Sequence, residues 1–291
     1  MDTTPKQCTI ATAGSVEGFG YWEGRDVRVE FRPASPNTGI VFVRSDLPGR
    51  PRIAARVENR VETPRRTSLR FGTAGVDMIE HIMAALAGLG VDNCEVWADQ
   101  AEMPGCDGSS LPFVEAIDTA GVVAQDAPRS RQIIRDVLRL ENGQGWFEVR
   151  PLDDRQTLLR YQLDYGDGNP IGRQLLEVRL TPEVFRRELA PCRTFMLKKE
   201  ADWLLAQGLG RRVSYGDLLV FDDDGPIDNE LRFADECVRH KLLDMVGDLA
   251  LSGSQLLGSF SASRSGHRLN AELVGALRTV AESVNPWRRC A

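Results

Sequence analysis

A histidine and an aspartate within one largely apolar stretch most constrain what this chain can fold into. The stretch, LRFADECVRHKLLDMVGDL at 231–249, contains His240, Lys241, Asp244 and Asp248. A helix turns by about 100° per residue, so His240 and Asp244, four residues apart, lie on one face. The opposite face and much of one flank are apolar, with Val238, Leu242, Leu243, Met245, Val246, Leu249 and Ala250. This pattern predicts a buried helix whose polar side chains need partners.

The helix alone leaves two interpretations open. Either His240 and Asp244 form an internal hydrogen bond, or their side chains share a metal ion. A second histidine, His81, lies in another predicted helix, at 76–89. Together His81, His240 and Asp244 offer two nitrogens and one carboxylate oxygen, a set typical of a catalytic zinc site that keeps one position for water. Cys237, one turn before His240, is a competing ligand that the helical angles place on a flank.

Three further polar side chains can add acid–base chemistry to such a site. Glu80 projects about 100° from its neighbour His81, so it can reach a water beside a metal without being a ligand. An exposed glutamate beside a core histidine is the commoner meaning of such a pair, and this alternative stays open. His267 lies in a predicted strand-to-helix loop, where Asp248 can orient it as a second acid or base. The residues indicate hydrolysis of an amide or ester on a metal.

Charge and cysteine content exclude several classes of protein. The chain of 291 residues has a net charge of −6 and a pI of about 5.3, so no overall basic field attracts nucleic acid. No apolar run approaches the roughly 18 residues of a membrane span, and the first residues resemble neither a signal peptide nor a transit peptide. Six scattered cysteines are typical of reduced thiols. We expect a cytoplasmic monomer without a transmembrane segment or a nucleic-acid partner.

The order of predicted elements repeats along the chain. In the first half, alternating and periodic apolar residues predict strands within 7–45 and at 91–98, and helices at 76–89 and 114–120. In the second half they predict strands at 132–140, 145–150, 157–165, 173–180, 217–221 and 254–263, and helices at 198–207, 231–249 and 270–284.

A polar, proline-containing segment at 123–130 marks the predicted boundary between domains 1–126 and 127–291. Each half contains strands, one buried helix with a histidine, a further strand and a further helix. The sequence therefore predicts an α+β fold of two duplicated domains, each with helices packed against a β-sheet.

Several segments also carry a resemblance to a known family. They are EHIMAALAGLGVDN at 80–93, AEMPGCDGSSLPF at 101–113, RTF at 193–195, the stretch at 231–249 and SRSGH at 263–267. In this order the chain resembles the UDP-3-O-acyl-N-acetylglucosamine deacetylases, the LpxC family, over about residues 8–282. The resemblance implies two α+β domains with the active site in the cleft between them. It also implies removal of acetate from a small UDP-linked acyl amino sugar, the committed step of lipid A biosynthesis.

The resemblance implies a metal site and two groups that act on the acetyl carbonyl. The zinc ligands of the family fall on His81, His240 and Asp244. Ferrous iron is the alternative ion, because it accepts the same ligands. The family's general base falls on Glu80, and the threonine that helps bind the oxyanion falls on Thr194.

The remaining implied roles concern the leaving group and the substrate. The general acid of the family falls on His267, with Asp248 behind it. Substrate contacts fall on Lys241, Arg264 and Phe195. All three histidines of the chain thus fall on positions of the family's site.

Three short segments differ from the family's pattern. They are YWEG at 21–24, DMI at 77–79, and RVS at 212–214, the last within an insert at about 196–220 that the resemblance implies forms a passage for the acyl chain. These differences keep two alternatives open. One is a paralogue that hydrolyses the amide of another acylated amino sugar, and the other is a non-catalytic protein that binds zinc and a nucleotide sugar.

Overall fold

A computed structural model describes residues 5–284 and gives them an α+β fold, as predicted. The α-helices in this range are Glu80–Gly88 (α1), Leu111–Ala120 (α2), Pro182–Val184 (α3), Lys198–Ala206 (α4), Glu236–Leu249 (α5) and His267–Val284 (α6). No helix within these residues combines the length and apolar content that crossing a membrane requires. The outer ends of the two predicted domains, 1–4 and 285–291, lie outside the described residues.

The strands fall into two series along the chain. Those of the first half are Lys6–Ile10 (β1), Gly14–Phe19 (β2), Asp26–Pro33 (β3), Ile40–Arg44 (β4), Arg52–Ala54 (β5), Arg60–Val61 (β6), Ser68–Phe71 (β7), Ala74–Asp77 (β8) and Cys94–Ala98 (β9). The others are Val122–Pro128 (β10), Arg131–Ile133 (β11), Leu138–Asn142 (β12), Gly145–Arg150 (β13), Thr157–Asp164 (β14), Arg173–Arg179 (β15), Phe195–Leu197 (β16), Leu219–Phe221 (β17) and Gln255–Ser263 (β18).

The two main sheets share one topology. Their strand orders are β2-β3-β9-β4-β5 and β12-β13-β18-β14-β15. In each sheet the strand that comes last in sequence, β9 or β18, lies at the centre. Both central strands, β9 and β18, pair antiparallel with one neighbour in this order and parallel with the other, and β18 also pairs in parallel with the short strand β11. A histidine-bearing helix precedes each central strand, and another helix follows it. The prediction of a duplicated α+β fold is confirmed.

Helices α1 and α5 join the halves by packing against each other in the core. Their close approach depends on Gly247, because a β-carbon at this position would lie 2.1 Å from the backbone oxygen of Glu80. Glycine lets two backbones meet in this way because it has no side chain. The helices that carry Glu80, His81, His240 and Asp244 are therefore pressed together at the centre of the molecule.

Two predicted helix starts are wrong. Helix α1 begins at Glu80 rather than at 76, because residues 74–77 form β8 and pair antiparallel with β7. Helix α5 begins at Glu236 rather than at 231. The carboxylate of Glu236 accepts a hydrogen bond from the backbone N–H of Arg232 at 2.6 Å, which holds the preceding segment outside the helix.

Two other predictions are corrected by backbone hydrogen bonds. His267 is the first residue of α6 rather than a loop residue, since the N–H of Asn270 already bonds to the carbonyl of Gly266 at 3.0 Å. The segment 123–130 is mostly strand β10 rather than a connecting segment, because it pairs antiparallel with β1. Its polar composition fits a strand that is largely exposed in a two-stranded sheet. The boundary between 126 and 127 stays a prediction.

The insert at 196–220 forms a small unit of its own. Strands β16 and β17 pair in parallel, and α4 lies between them in the sequence. A second apolar cluster, separate from the main core, lies beneath this unit and is centred on Tyr21, Leu218 and Val220. The insert thus packs on a turn of the first half.

Candidate active site

A cavity of about 1150 Å³ brings the predicted site residues together. Its walls include both polar and apolar side chains from the two halves of the chain. Of the ten predicted site residues, nine line it: Glu80, His81, Thr194, Phe195, His240, Lys241, Asp244, Arg264 and His267. The tenth, Asp248, lies immediately behind His267, to which it is hydrogen-bonded.

A compact cluster that can hold a metal ion, which we call the ligand group, is formed by His81, His240 and Asp244. One nitrogen or oxygen ligand atom from each lies within 4.8 Å of the other two. Asp244 Oδ1 is 3.4 Å from His240 Nε2 and 3.7 Å from His81 Nε2. The two imidazole rings meet edge to face at a centroid distance of 5.1 Å. All three residues are buried, so the polar atoms converge on a point shielded from bulk water.

The protonation states of this group suit a metal ligand set. His240 Nδ1 donates to the Cys192 carbonyl at 3.0 Å, which leaves the lone pair of Nε2 for the site. Burial lowers the pKa of His240 to about 4, so its imidazole is neutral at pH 7. Burial alone would raise the pKa of Asp244, but Lys241 and His240 hold it well below its usual range. Neutral imidazole and ionised carboxylate are the forms that bind divalent metals.

The competing ligand Cys237 is not part of the group. Its side chain is buried in the main apolar core, and burial raises the pKa of its thiol. A protonated thiol in apolar surroundings is a poor ligand, because metals bind the thiolate. The helical angles that placed Cys237 on a flank are therefore consistent with the structure.

Glu80 lies at the start of α1 with its carboxylate in the cavity wall. Its Oε2 accepts a hydrogen bond from the backbone N–H of Thr67 at 2.9 Å. Burial raises the pKa of Glu80, although His267, His81 and the Thr67 N–H act in the opposite direction. A buried carboxylate with a raised pKa is a stronger base than an exposed one. Glu80 is only 6% exposed, which overturns the alternative of a solvated glutamate beside a core histidine.

His267 and Asp248 form a buried pair across α6 and α5. His267 Nδ1 is 2.9 Å from Asp248 Oδ2, and the same oxygen accepts from Asn270 Nδ2 at 2.8 Å. Burial by itself would lower the pKa of His267, but Asp248 raises it to about 9. The imidazole is therefore protonated at neutral pH and can donate a proton.

Thr194 and Phe195 reach the cavity from the segment that enters β16. The Thr194 hydroxyl lies 3.3 Å from His240 Nε2 and donates to the Gly108 carbonyl at 3.1 Å. The Phe195 ring packs edge-on to His240 at a centroid distance of 6.1 Å. Both side chains thus lie directly beside the three convergent ligand residues.

A buried ion pair that sequence reasoning missed supports this segment. Arg193 donates through Nε and its backbone N–H to Glu236 Oε1 at 2.8 and 3.0 Å. Glu236 is fully buried and Arg193 only 5% exposed. The RTF motif contains Arg193, so the signal was present, but nothing in the sequence pattern identifies its partner on α5.

The two predicted basic residues occupy different parts of the cavity. Lys241 Nζ donates to Asp244 Oδ2 at 2.7 Å, on the far side of that carboxylate from the histidines. Arg264 is 41% exposed, pairs with Asp164 at 3.2 Å and also contacts Gln144. Lys241 therefore lies beside the ligand group, whereas the more exposed Arg264 is held by other polar side chains of the second half.

Comparison with known proteins identifies the family. A family model described as UDP-3-O-acyl N-acetylglycosamine deacetylase (LpxC) matches residues 7–279. The chain belongs to this family. Proteins named UDP-3-O-acyl-N-acetylglucosamine deacetylase from Brucella ovis, Brucella abortus and Brucella melitensis biotype 2 are each 42% identical to it over 273 residues, which is 93% of this chain and 94% of each relative. The similarity to the LpxC family therefore extends through both halves and through every helix that contributes to the cavity.

Two of the segments that differ from the LpxC pattern contact each other. The Tyr21 hydroxyl donates to the Asp217 carbonyl at 2.5 Å, and Arg212 donates to the Gly24 carbonyl at 3.1 Å. The Arg212 guanidinium also lies over the Phe19 ring, 4.3 Å from its centroid. We call these interactions the turn–insert contact.

Apolar side chains on both sides of the turn–insert contact line one arm of the cavity. From the turn and the segment before α1 come Tyr21, Trp22 and Met78, and from the insert come Met196, Leu204, Leu209, Val213, Leu218 and Val220. All three segments that differ from the LpxC pattern thus contribute side chains to the cavity wall, next to the apolar residues of the insert.

Proposed function

We propose that this protein removes the acetyl group from UDP-3-O-acyl-N-acetylglucosamine, giving acetate and UDP-3-O-acyl-glucosamine in lipid A biosynthesis. Membership of the LpxC family and the names of the Brucella relatives support this substrate. The observation that carries the proposal is the meeting of three kinds of group in one cavity. A ligand group, a buried base and a protonated acid all face the same space.

In this proposal His81, His240 and Asp244 hold a divalent cation, zinc or alternatively ferrous iron. Their convergence within 4.8 Å and the neutral form of His240 fit such an ion. When bound, the cation polarises the acetyl carbonyl and lowers the pKa of a water molecule.

The chain's own residues then move the protons. Glu80 accepts a proton from the attacking water, because its buried carboxylate has a raised pKa. The Thr194 hydroxyl, which donates to the Gly108 carbonyl in the free protein, turns to donate its hydrogen bond to the oxygen on which negative charge develops. Asp248 keeps His267 protonated, and His267 gives its proton to the amine nitrogen as the C–N bond breaks. The products are acetate and a free amine.

Substrate binding divides between the polar and apolar ends of the cavity. We assign Lys241, Arg264 and Phe195 to the nucleotide sugar, since these side chains line the cavity and occupy the positions at which the LpxC family contacts its substrate. The apolar arm under the insert is assigned to the acyl chain. We further propose that the protein acts as a cytoplasmic monomer without a nucleic-acid partner, on the basis of its acidic charge and free thiols.

The turn–insert contact favours one second candidate, a paralogue that deacetylates a different acylated amino sugar. In that case the ligand group and the acid–base pair act identically, and only the apolar arm selects another chain. A non-catalytic binding protein is a weaker alternative. It needs neither a base with raised pKa nor an acid with a dedicated carboxylate partner.

The test measures release of free amine from UDP-3-O-myristoyl-N-acetylglucosamine by zinc-loaded protein. We expect Glu80→Gln and His267→Ala each to lose about 10²- to 10⁴-fold in kcat, the usual contribution of a general base or acid. Both variants should retain their metal. The matched control is Glu115→Gln, on the exposed side of α2, which should turn over like the unchanged protein.

The outcomes separate the alternatives. Wild-type turnover in either catalytic variant overturns that residue's role. An intact protein that binds one zinc but releases no amine from this substrate overturns the substrate assignment, and a panel of acyl lengths and sugar nucleotides then tests the paralogue.

A further inference from the structure

Thr67 contacts both the proposed base, Glu80, and the carboxylate partner of the proposed acid, Asp248. It lies directly before β7 and is 1% exposed. Its backbone N–H donates to Glu80 Oε2 at 2.9 Å, and its hydroxyl donates to Asp248 Oδ1 at 2.6 Å. One residue therefore holds the proposed base directly and the proposed acid through its carboxylate partner.

The hydroxyl contact completes the hydrogen bonding of Asp248. Oδ2 of this carboxylate accepts from His267 Nδ1 and Asn270 Nδ2, and Oδ1 accepts from Thr67. Three donors on a planar group fix its rotation about the bond to the β-carbon, so the direction of the bond to His267 is fixed as well. Hydrogen bonds to a charged acceptor are short and strong, as the 2.6 Å distance illustrates.

The contact to Glu80 acts in the same way on the base. Occupying Oε2 with the Thr67 N–H orients the plane of the carboxylate, which sets where its other oxygen points. Glu80 belongs to the first half of the chain, whereas Asp248 and His267 belong to the second. Thr67 is thus a direct link between groups that lie on helices of the two different halves.

We propose that Thr67 is a positioning residue that sets the placement of the base Glu80 relative to the acid His267. This inference rests on the proposed function, which supplies the roles of these two groups. Thr67 is not among the residues that line the cavity, so it acts through Glu80 and Asp248 rather than on the substrate. Small misplacements of catalytic groups lower the rate strongly, because proton transfer needs a narrow range of distances and angles.

The test compares substitutions that alter only the hydroxyl. Thr67→Val keeps the size and the backbone N–H but removes the donor to Asp248, whereas Thr67→Ser keeps both donors. The matched control is Thr157→Val, because the Thr157 hydroxyl donates to the Leu256 carbonyl at the same distance of 2.6 Å and does not line the cavity. Each zinc-loaded variant is assayed for kcat, KM, metal content and thermal midpoint.

We expect Thr67→Val to lower kcat by about ten- to a hundredfold, the usual effect of removing an outer partner of a catalytic group. KM and metal content should stay at the wild-type values. Thr67→Ser should restore kcat, and Thr157→Val should lower the thermal midpoint while leaving kcat unchanged. A general loss of packing would not produce this split between kcat and KM or the rescue by serine.

Three results overturn the proposal: wild-type kcat in Thr67→Val, a loss in Thr67→Ser equal to that in Thr67→Val, or an equal loss of kcat in Thr157→Val. If Thr67→Val does not fold, Thr67→Cys replaces it, since a thiol is a weak donor. An unchanged kcat in the cysteine variant is equally decisive against the role. Failure of the proposed function is distinguishable, because the unchanged protein would then release no amine at all.

Discussion

Two regions of the cavity differ in burial and hydrogen bonding. One is the polar region, which comprises the ligand group and the acid–base residues Glu80, His267 and Asp248, and the other is the apolar arm under the insert. Glu80, His240, Asp244 and Asp248 are at most 6% exposed, and each makes at least one hydrogen bond shorter than or equal to 3.0 Å. The insert, by contrast, leaves Trp203 58% and Leu205 50% exposed.

The difference indicates that the two regions tolerate change differently. Hydrogen bonds are directional, so a shift of a buried donor or acceptor loses the bond and leaves an unpaired polar group. Apolar contacts depend on area and volume, so an aliphatic wall can be remodelled with small losses. We therefore expect the polar region to determine the reaction and the apolar arm to determine which acyl chain is accepted.

The largest effect is expected from Asp244→Ala. The substitution removes one of the three proposed ligands and leaves the partly buried Lys241 ammonium without its carboxylate partner. We expect metal content to fall to near zero, turnover to disappear, and the free energy of unfolding to fall by about 3 kcal/mol. Native mass spectrometry and chemical denaturation measure these quantities. Stoichiometric metal in this variant, with Lys241→Met as the control that keeps all three ligands, would show that the ligand assignment is wrong.

A smaller effect is expected from Asp248→Asn, in the form of a changed pH profile. Burial lowers and Asp248 raises the pKa of His267, with the net result of about 9. The stabilisation from this charged pair is complete below the unfolded pKa of about 6.5 and is lost as pH rises through the folded value. Activity that needs protonated His267 should likewise decline as pH rises through about 9.

In Asp248→Asn the decline should begin at lower pH, because the anion that retains the proton is gone. The kcat/KM profile from neutral to alkaline pH measures it. An alkaline limb at the same position in both proteins contradicts the role of Asp248.

The smallest effect is expected from Tyr21→Phe, within the turn–insert contact. The substitution removes the hydroxyl that donates to the Asp217 carbonyl at 2.5 Å and lies 3.1 Å from the Cys106 carbonyl. Losing one hydrogen bond of about 1 kcal/mol should raise KM roughly fivefold for long acyl chains and leave kcat unchanged. Kinetics on a series of acyl lengths test this expectation. A fall in kcat without a change in KM would indicate that Tyr21 supports the reaction rather than the binding of the acyl chain.

The polar region was largely predictable from sequence because its residues follow local periodicity. His240 and Asp244 are one helical turn apart, and Glu80 and His81 are adjacent, so helix geometry brings each pair together while leaving its chemistry open. The donor set suggested combining His81 with His240 and Asp244, and the family resemblance implied the same three ligands. The duplicated order of elements also gave the fold class.

What escaped prediction depends on contacts between distant parts of the chain. Thr67 and Asp248 are separated by 181 residues, and Arg193 and Glu236 by 43, so no local pattern links either pair. The start of α1 was misjudged because Ala74 and Val76 are apolar, like much of the helix that follows. Pairing with β7, which sequence periodicity does not reveal, makes them a strand.

Gly247 has a consequence for how this gene can vary. Every replacement of glycine adds a β-carbon, and here that carbon would meet the backbone oxygen of Glu80 rather than a side chain that can rotate away. No missense change at this codon is therefore mild, although the residue carries no functional group. Backbone geometry alone therefore restricts substitution at position 247, as strictly as chemistry restricts it at the proposed catalytic positions.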